Sequence, residues 1–440
     1  MLTVGLALTM SVLDSSIANV ALPTIAGDFN AQATFAIWIV NAYLVTIMLT
    51  LLPLAALGEI VGYERIYLSG LVLFTFASLA CALAPSLLAL VFARILQGLG
   101  AACVMSVNMA VVRFIYPTER LGHGIGINAV IIAVAAALGP TIASAILSVA
   151  SWPWLFAVNV PIGVVAVAMG IWALPATPRV NRPFDVISAV LSAITFGLLI
   201  SLIETFGRRI APTIVIFELI IMGAAGFLLY RRQISSPAPL LPIDLLGIPI
   251  FGLSIATSVC SFVAQSVTLV SLPFLLQSNL GFSAVQIGLL MTPWPLATSV
   301  VAPIAGRLSD RYPAGLLGLL GLLTFASGLA ALALLPDHAS RANIAWRMAL
   351  SGAGFGLFQS PNNRTIIFSA PRERSGGAAG TQGMARLLGQ TIGAALAALL
   401  FSLLMQRWAS VAAIWVGVAF AATGSVVSAL RLTDAGQAKI

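Results

Sequence analysis

Apolar runs of eighteen or more residues recur along the whole chain, separated by short polar breaks, and they constrain the fold before any motif is read. Each run is long enough to cross a bilayer as a helix. Only 8% of the 440 residues are charged and 60% are hydrophobic, against roughly 25% charged in a soluble domain. No polar stretch is long enough for an extramembrane domain, so a soluble enzyme or a nucleic-acid binder is excluded. The first run lacks a basic leader and continues past Asp14 to span length, which reads as a membrane span and not as a signal peptide. Cys81, Cys103 and Cys260 lie inside apolar runs without metal or disulfide spacing, and His123 and His338 are far apart. No metal and no cofactor are expected.

Splitting the chain at its charged and Pro/Gly-rich breaks gives fourteen spans: 2–26, 35–57, 66–84, 87–112, 123–149, 155–174, 186–204, 210–229, 250–277, 284–305, 314–335, 343–367, 377–404 and 411–431. The net charge of +8 comes mostly from the breaks. One side collects Arg65, Arg113, Arg120, Arg179, Arg182, Arg231, Arg232, Arg307, Arg311, Arg364, Arg372, Arg374, Arg431 and Lys439; the other has Arg208, Arg209, Arg341 and Arg407. The richer side is expected to be cytoplasmic, with both termini inside.

An internal repeat runs through these spans. Ala55, Glu59 and Gly62 after the second span match Gly306, Asp310 and Pro313 after the tenth, at an offset of 251, and Arg94 matches Arg347 at 253. The spacing fits an all-α polytopic membrane protein with two six-helix bundles, 1–179 and 248–440, and two inserted helices in 180–247. Parallel repeats with a substrate path between them are a transporter architecture.

Asp14 sits at the midpoint of the first span, where a carboxylate costs about 2.5–3.5 kcal/mol even on lenient insertion scales. It shares a helix face with Ser11, Ser15 and Ala18. That stripe is expected to face a cavity and to hold either a proton or a cationic substrate; the alternative is a structural acid bonded to a neighbouring helix. Arg94, Gln97, Ala101, Met105 and Asn108 share a face of the fourth span. They either set the charge state of an acid such as Asp14, or line the cavity, or serve close packing with Gly98 and Gly100. Glu218, central in the eighth span, is a second acid candidate for coupling.

Trp38, Asn41, Tyr43, Gln265, Trp294, Phe358, Gln359 and Gln390 either furnish an aromatic, mildly polar substrate pocket or pack the core. Aromatic faces attract a quaternary ammonium by about 0.5–2 kcal/mol each. Arg386, between Gln382 and Gln390 on one helical stripe, reads as structural or gating, and Arg347 as snorkelling at a helix end. Glu59 with Arg65, and Asp310 with Arg311, are expected to form ion pairs at helix ends that hold in one facing state and break in the other.

These residues resemble the major facilitator superfamily, specifically its fourteen-helix drug:proton antiporters. "LDSSIANVALP" is similar to the first-helix signature LDxTIVNVALP, with Ser16 for Thr and Ala18 for Val. "RILQGLGAA" matches the fourth-helix pattern RxxQGxGaa at Arg94, Gln97, Gly98 and Gly100. The loop motif GxLaDRxGrr is met closely at Gly306, Asp310 and Arg311. It is met loosely at Ala55, Glu59 and Gly62, where Ile60 replaces a basic residue. Gly126, Gly139 and Pro140 match the fifth-helix antiporter motif, with Ala135, Ala143 and Ser144 standing where it has Gly. With "MTPWPLA" and "LFQSPNNR", the chain looks most like the methyl viologen and quaternary-ammonium exporters. The resemblance implies proton-coupled export of lipophilic cations (antiseptics, dyes, methyl viologen-like compounds) by alternating access. Coupling is expected at Asp14, Arg94 and Glu218, and gating at Glu59, Gly62, Arg65, Gly306, Asp310, Arg311, Gly139, Pro140 and Arg386. A neutral or anionic metabolite, contacted by Arg94 or Arg386, is the rival substrate class. A monomer in a bacterial inner membrane, without nucleic-acid partners, is expected.

Overall fold

The computed structural model describes residues 2–116, 121–177, 179–181, 183–205, 212–234, 243–336, 338–370 and 375–437. Fourteen long helices account for almost all of them, and no strand occurs among the described residues. They are α1 (Leu2–Asp28), α2 (Trp38–Val61), α3 (Tyr63–Ala82), α4 (Leu87–Ile115), α5 (Leu121–Val149), α6 (Asn159–Ala173) and α7 (Val186–Thr205). The remaining seven are α8 (Pro212–Ile234), α9 (Pro249–Phe274), α10 (Pro293–Leu308), α11 (Ala314–Ala333), α12 (Arg341–Ser369), α13 (Ser375–Leu403) and α14 (Gln406–Gln437). Among the described residues, twelve helical segments are long and apolar enough to cross a membrane. The chain is an all-α polytopic membrane protein. Of the basic residues counted for orientation, Arg120, Arg182, Arg208, Arg209, Arg372, Arg374 and Lys439 lie outside the described residues.

Two compact units form, Met1–Leu198 and Leu199–Ile440, with the division falling inside α7. Within the first, α3 packs on α4, α2 on α4, α1 on α5, and α6 on both α1 and α3. Within the second, the same pattern recurs eight helices later: α11 on α12, α10 on α12, α9 on α13, and α14 on both α9 and α11. Local signals repeat as well. Ser86 caps α4 by accepting from the Ala89 amide at 3.2 Å, and Ser340 caps α12 by accepting from the Asn343 amide at 3.2 Å, each satisfying one of the unpaired amides of a helix start. Pro53 and Pro303 stand inside α2 and α10, as membrane helices tolerate when neighbours re-satisfy the freed carbonyls. The polar residues of α12 are explained by its packing, since it lies against α9, α10 and α11. By contrast α8, which meets the short turn Ile243–Leu246, exposes Ile216, Phe217 and Ile220.

Lipid offers apolar side chains nearly as good an environment as a neighbouring helix does, so helices associate through close backbone approach. Gly70 and Gly100 supply it where α3 crosses α4: a Cβ on Gly100 would stand 2.6 Å from the Phe74 amide nitrogen and 2.8 Å from the Gly70 carbonyl oxygen. Gly321 and Gly354 do the same for α11 and α12, where a Cβ on Gly321 would meet the Phe358 amide nitrogen at 2.7 Å. Gly100→Ala must therefore push the α3 and α4 backbones apart. The expected loss of about 1–3 kcal/mol is read as a lower unfolding midpoint in a fixed detergent. An unchanged midpoint would show that the crossing relaxes freely.

Candidate functional site

Asp14, on α1, ends in a sealed polar cluster inside the first unit. Its side chain is 1% exposed and that of Arg94, on α4, is 0% exposed. Arg94 Nη1 donates to Asp14 Oδ2 and, at 2.5 Å, to Gln97 Oε1. Gln97 Nε2 donates to Asp14 Oδ1 at 2.8 Å, and Asn159 Nδ2 on α6 donates to the same oxygen at 3.1 Å. Ser78 Oγ on α3 accepts from Gln97 Nε2 at 2.9 Å, and Arg94 Nε donates to the Ile39 carbonyl at 2.9 Å. The guanidinium carbon lies 4.2 Å from the Tyr43 ring centre and 5.6 Å from that of Phe156, within cation–π range. Five helices thus contribute to one cluster around the Asp14–Arg94 pair. A guanidinium keeps its charge at any working pH, so Asp14 is the member of the pair that can change state.

One feature differs from expectation. The Ser11, Asp14 and Ala18 positions are buried, turned into the first unit and not towards open space; only Ser15 of that stripe is partly exposed. Arg94, read from the sequence as able to set the charge state of Asp14, reaches it directly and matches it with a permanent cation.

Trp38 is half-buried and Asn41 fully buried on α2, and Asn108 accompanies Asn128, donating to its Oδ1 at 3.3 Å. Gly139 and Pro140 lie where α5 meets α1; a Cβ on Gly139 would fall 3.1 Å from Ser16 Oγ and closer still to Ser16 Cβ.

In the second unit, Trp294 and Phe358 belong to an aromatic core with Phe325, Phe355 and Phe262. Ring centres there are 5.3 Å apart for Trp294–Phe325 and 6.0 Å for Phe355–Phe358. Gln265, Gln359, Arg386 and Gln390 are half-buried, and the Gln390 carbonyl accepts from Ser266 Oγ at 2.6 Å. Arg347 donates to the Ala331 carbonyl and lies 5.3 Å from the Trp346 ring. Glu218 Oε1 accepts from Ser201 Oγ at 2.9 Å, joining α8 to α7, while its other oxygen is buried without a hydrogen-bond partner.

One helix-end acid corrects the sequence reading. Asp310 pairs with Arg364 of α12, not with Arg311, which is exposed along with Arg65. Gly306 is half-buried just before that turn, and Gly62 adopts φ of +113° at the end of α2, a conformation that favours glycine. Arg431, counted with the loop arginines, is 2% exposed inside the second unit. Its Nη1 donates to Asn362 Oδ1 at 2.7 Å and to Ser254 Oγ at 3.1 Å. Asn159, Ser78, Arg364 and Asn362 escape a reading of the sequence, since none follows a spacing pattern with its partner. An arginine 251 residues before Arg364, Arg113, is the available hint that position 364 belongs to the repeat.

The family model for the Major Facilitator Superfamily matches residues 4–271 and 254–439. The chain belongs to the Major Facilitator Superfamily. It is 54% identical over 435 residues to the uncharacterized transporter YebQ of Escherichia coli K12, covering 98% of this chain and 95% of that one. It is 32% identical to the riboflavin transporter RibZ of Clostridioides difficile, over 83% of this chain and 80% of that one. It is 31% identical to the multidrug resistance protein Stp of Mycobacterium tuberculosis H37Rv, over 90% of this chain and 74% of that one. The molecule is a multi-pass membrane transporter.

The geometry of these pairs sets two expectations. Asp14→Asn or Arg94→Gln alone leaves a buried charge or polar group unmatched and should each destabilise by about 3–5 kcal/mol. The double variant should lose much less than the sum, read as a double-mutant cycle of unfolding midpoints; additive losses would mean that the pair is not coupled. Asp310 and Arg364 are 62% and 43% exposed, so their pair contributes only about 0–1 kcal/mol to stability. Asp310→Arg should therefore lower transport far more than folded yield, and Arg364→Asp in the same chain should restore it. Equal losses of both, without rescue, would mark a folding role.

Proposed function

We propose that this transporter is a proton-coupled exporter of lipophilic small molecules, with both termini cytoplasmic, working by alternating access. The observation that carries this reading is the sealed Asp14–Arg94 pair. Protonating Asp14 leaves a neutral acid beside an uncompensated buried guanidinium, a state that costs several kcal/mol unless Arg94 finds other acceptors or water. Relief requires α1 and α4 to shift, and a proton is thereby converted into helix movement. Asp14 then exchanges its proton for Arg94, not for the cargo.

The cargo class suggested by the motifs is lipophilic and quaternary cations, as for methyl viologen-like compounds, and the likeness to Stp supports multidrug export. Cations would be held by aromatic faces, about 0.5–2 kcal/mol each, with the pair supplying no net negative charge. The same neutrality supports a second reading, export of an uncharged aromatic metabolite, which the likeness to RibZ favours. Dication export against a single proton is opposed by about 2.3 kcal/mol per 100 mV of inside-negative potential. Such a cargo calls for a second proton, for which Glu218 is the other acid deep in a span.

The test is pH-driven uptake into everted vesicles of tetraphenylphosphonium, methyl viologen and riboflavin, by wild type and by Asp14→Asn/Arg94→Gln. The double variant keeps charge balance, so it should fold yet lose most of the pH-driven rate. Uptake of tetraphenylphosphonium but not riboflavin selects the cation reading, and the reverse selects the neutral one. A wild-type pH profile in the double variant makes Asp14 structural and ends this mechanism.

A further inference from the structure

Beyond α6 the first unit's chain does not leave directly but folds back on the turn between α2 and α3. Thr177 is buried there. Its amide donates to Glu64 Oε2 at 3.1 Å and its hydroxyl donates to the same oxygen. The Thr177 hydroxyl oxygen in turn accepts from the Tyr63 amide at 2.9 Å, and the Val180 amide donates to the Glu59 carbonyl at 2.8 Å. Arg179 adds electrostatic attraction to the Glu64 carboxylate. Gly62 lets the turn close over that carboxylate: a Cβ there would lie 2.9 Å from both Glu64 oxygens.

The second unit holds the corresponding contact. Counting 251 residues on from Thr177 and Glu64 gives Ser428 and Gly315, and Ser428 Oγ donates to the Gly315 carbonyl at 3.0 Å. Arg431 Nη2 donates to the same hydroxyl oxygen. One offset relates the hydroxyls, their acceptors, and the acids Glu59 and Asp310 that stand five residues before those acceptors. An accidental surface contact in one unit would have no reason to recur in the other at the offset of the repeat.

We propose that Thr177–Glu64 and Ser428–Gly315 are one device present twice: a hydroxyl latch tying the chain just past α6 to the first turn of α3 in one unit, and the C-terminal half of α14 to the first turn of α11 in the other. Each latch fixes the turn that carries the acid of its repeat, Glu59 to Gly62 in one and Asp310 to Pro313 in the other. Glu64 and Thr177 are positioning residues for the first turn, and Ser428 is one for the second. The two latches are charged differently. The first uses a carboxylate as acceptor. The second has glycine at that place, so its acceptor is a backbone carbonyl, and the buried Arg431 holds the hydroxyl from the other side with only neutral partners among the described residues.

The experiment is hydrogen–deuterium exchange on the whole protein in lipid nanodiscs, joined to tetraphenylphosphonium uptake in vesicles. In wild type, the segment 174–181 should exchange far more slowly than an unstructured peptide. Thr177→Val and Glu64→Gln should speed its exchange about ten-fold, the factor that one lost hydrogen bond to a charged group gives. Both should lower the maximal uptake rate without changing half-saturation, and so should Ser428→Ala. Thr177→Ser, which keeps the hydroxyl, should retain slow exchange and the wild-type rate. Exchange of the wild-type segment at the unstructured rate overturns the latch whether or not any variant folds. Faster exchange in Thr177→Val with unchanged uptake overturns the positioning role. If wild type moves no tetraphenylphosphonium, the reading of the cargo fails, while the exchange measurements still decide the latch.

Discussion

A guanidinium that cannot lose its charge, buried where water does not reach, dictates much of what surrounds it. Arg94 requires a carboxylate, and Asp14 is that carboxylate; Asp14 has further lone pairs, and Gln97 and Asn159 occupy them. Gln97 needs its own partners and takes Ser78. The need of buried polar groups for partners thus propagates from one residue to α1, α3, α4 and α6, although Arg94 Nη2 makes no hydrogen bond among the described residues. The aromatic rings of Tyr43 and Phe156 close the cluster on the guanidinium. In the proposed cycle the same stringency does the coupling, because one added proton disturbs all of these contacts together.

The second unit answers the same packing problem without that ion pair. Its helices meet in the order used by the first, with Gly321 and Gly354 at the crossing that Gly70 and Gly100 make. At the site of Arg347 the partner is a backbone carbonyl, and the middle of the unit is filled by Trp294, Phe325, Phe355 and Phe358. Its charged network lies instead around Arg431, held by Asn362, Ser254 and Ser428. The two units share their order of helix contacts but differ in their polar chemistry. This is expected if close helix contact is the common structural need and charge is the specialised one.

In the proposed function, a charge pair that cancels within one unit leaves the choice of cargo to the aromatic and amide side chains elsewhere. Function on a shared fold is set by such local chemistry and not by the architecture.

The succession of membrane-length helices and the need of Asp14 and Arg94 for partners were legible in the sequence, because bilayer thickness and the cost of a buried charge act on the chain one segment at a time. Helix periodicity also placed Gln97 on the face of Arg94, one turn away. Which helix supplies the partner of a charge was not legible. Asn159 lies 145 residues from Asp14, and Arg364 lies 54 from Asp310, separations that no local spacing encodes. The sequence likewise set Asp14 on a small, polar stripe but could not say whether that stripe faces a cavity or a neighbour, since a helix face has no partner until other helices pack on it. Arg431 shows the converse error: by position it is a loop arginine, and only the packing of α9, α11, α12 and α14 around it makes it a buried one. Segment identity follows from local free energies of transfer, whereas pairing across helices is decided by the tertiary structure alone.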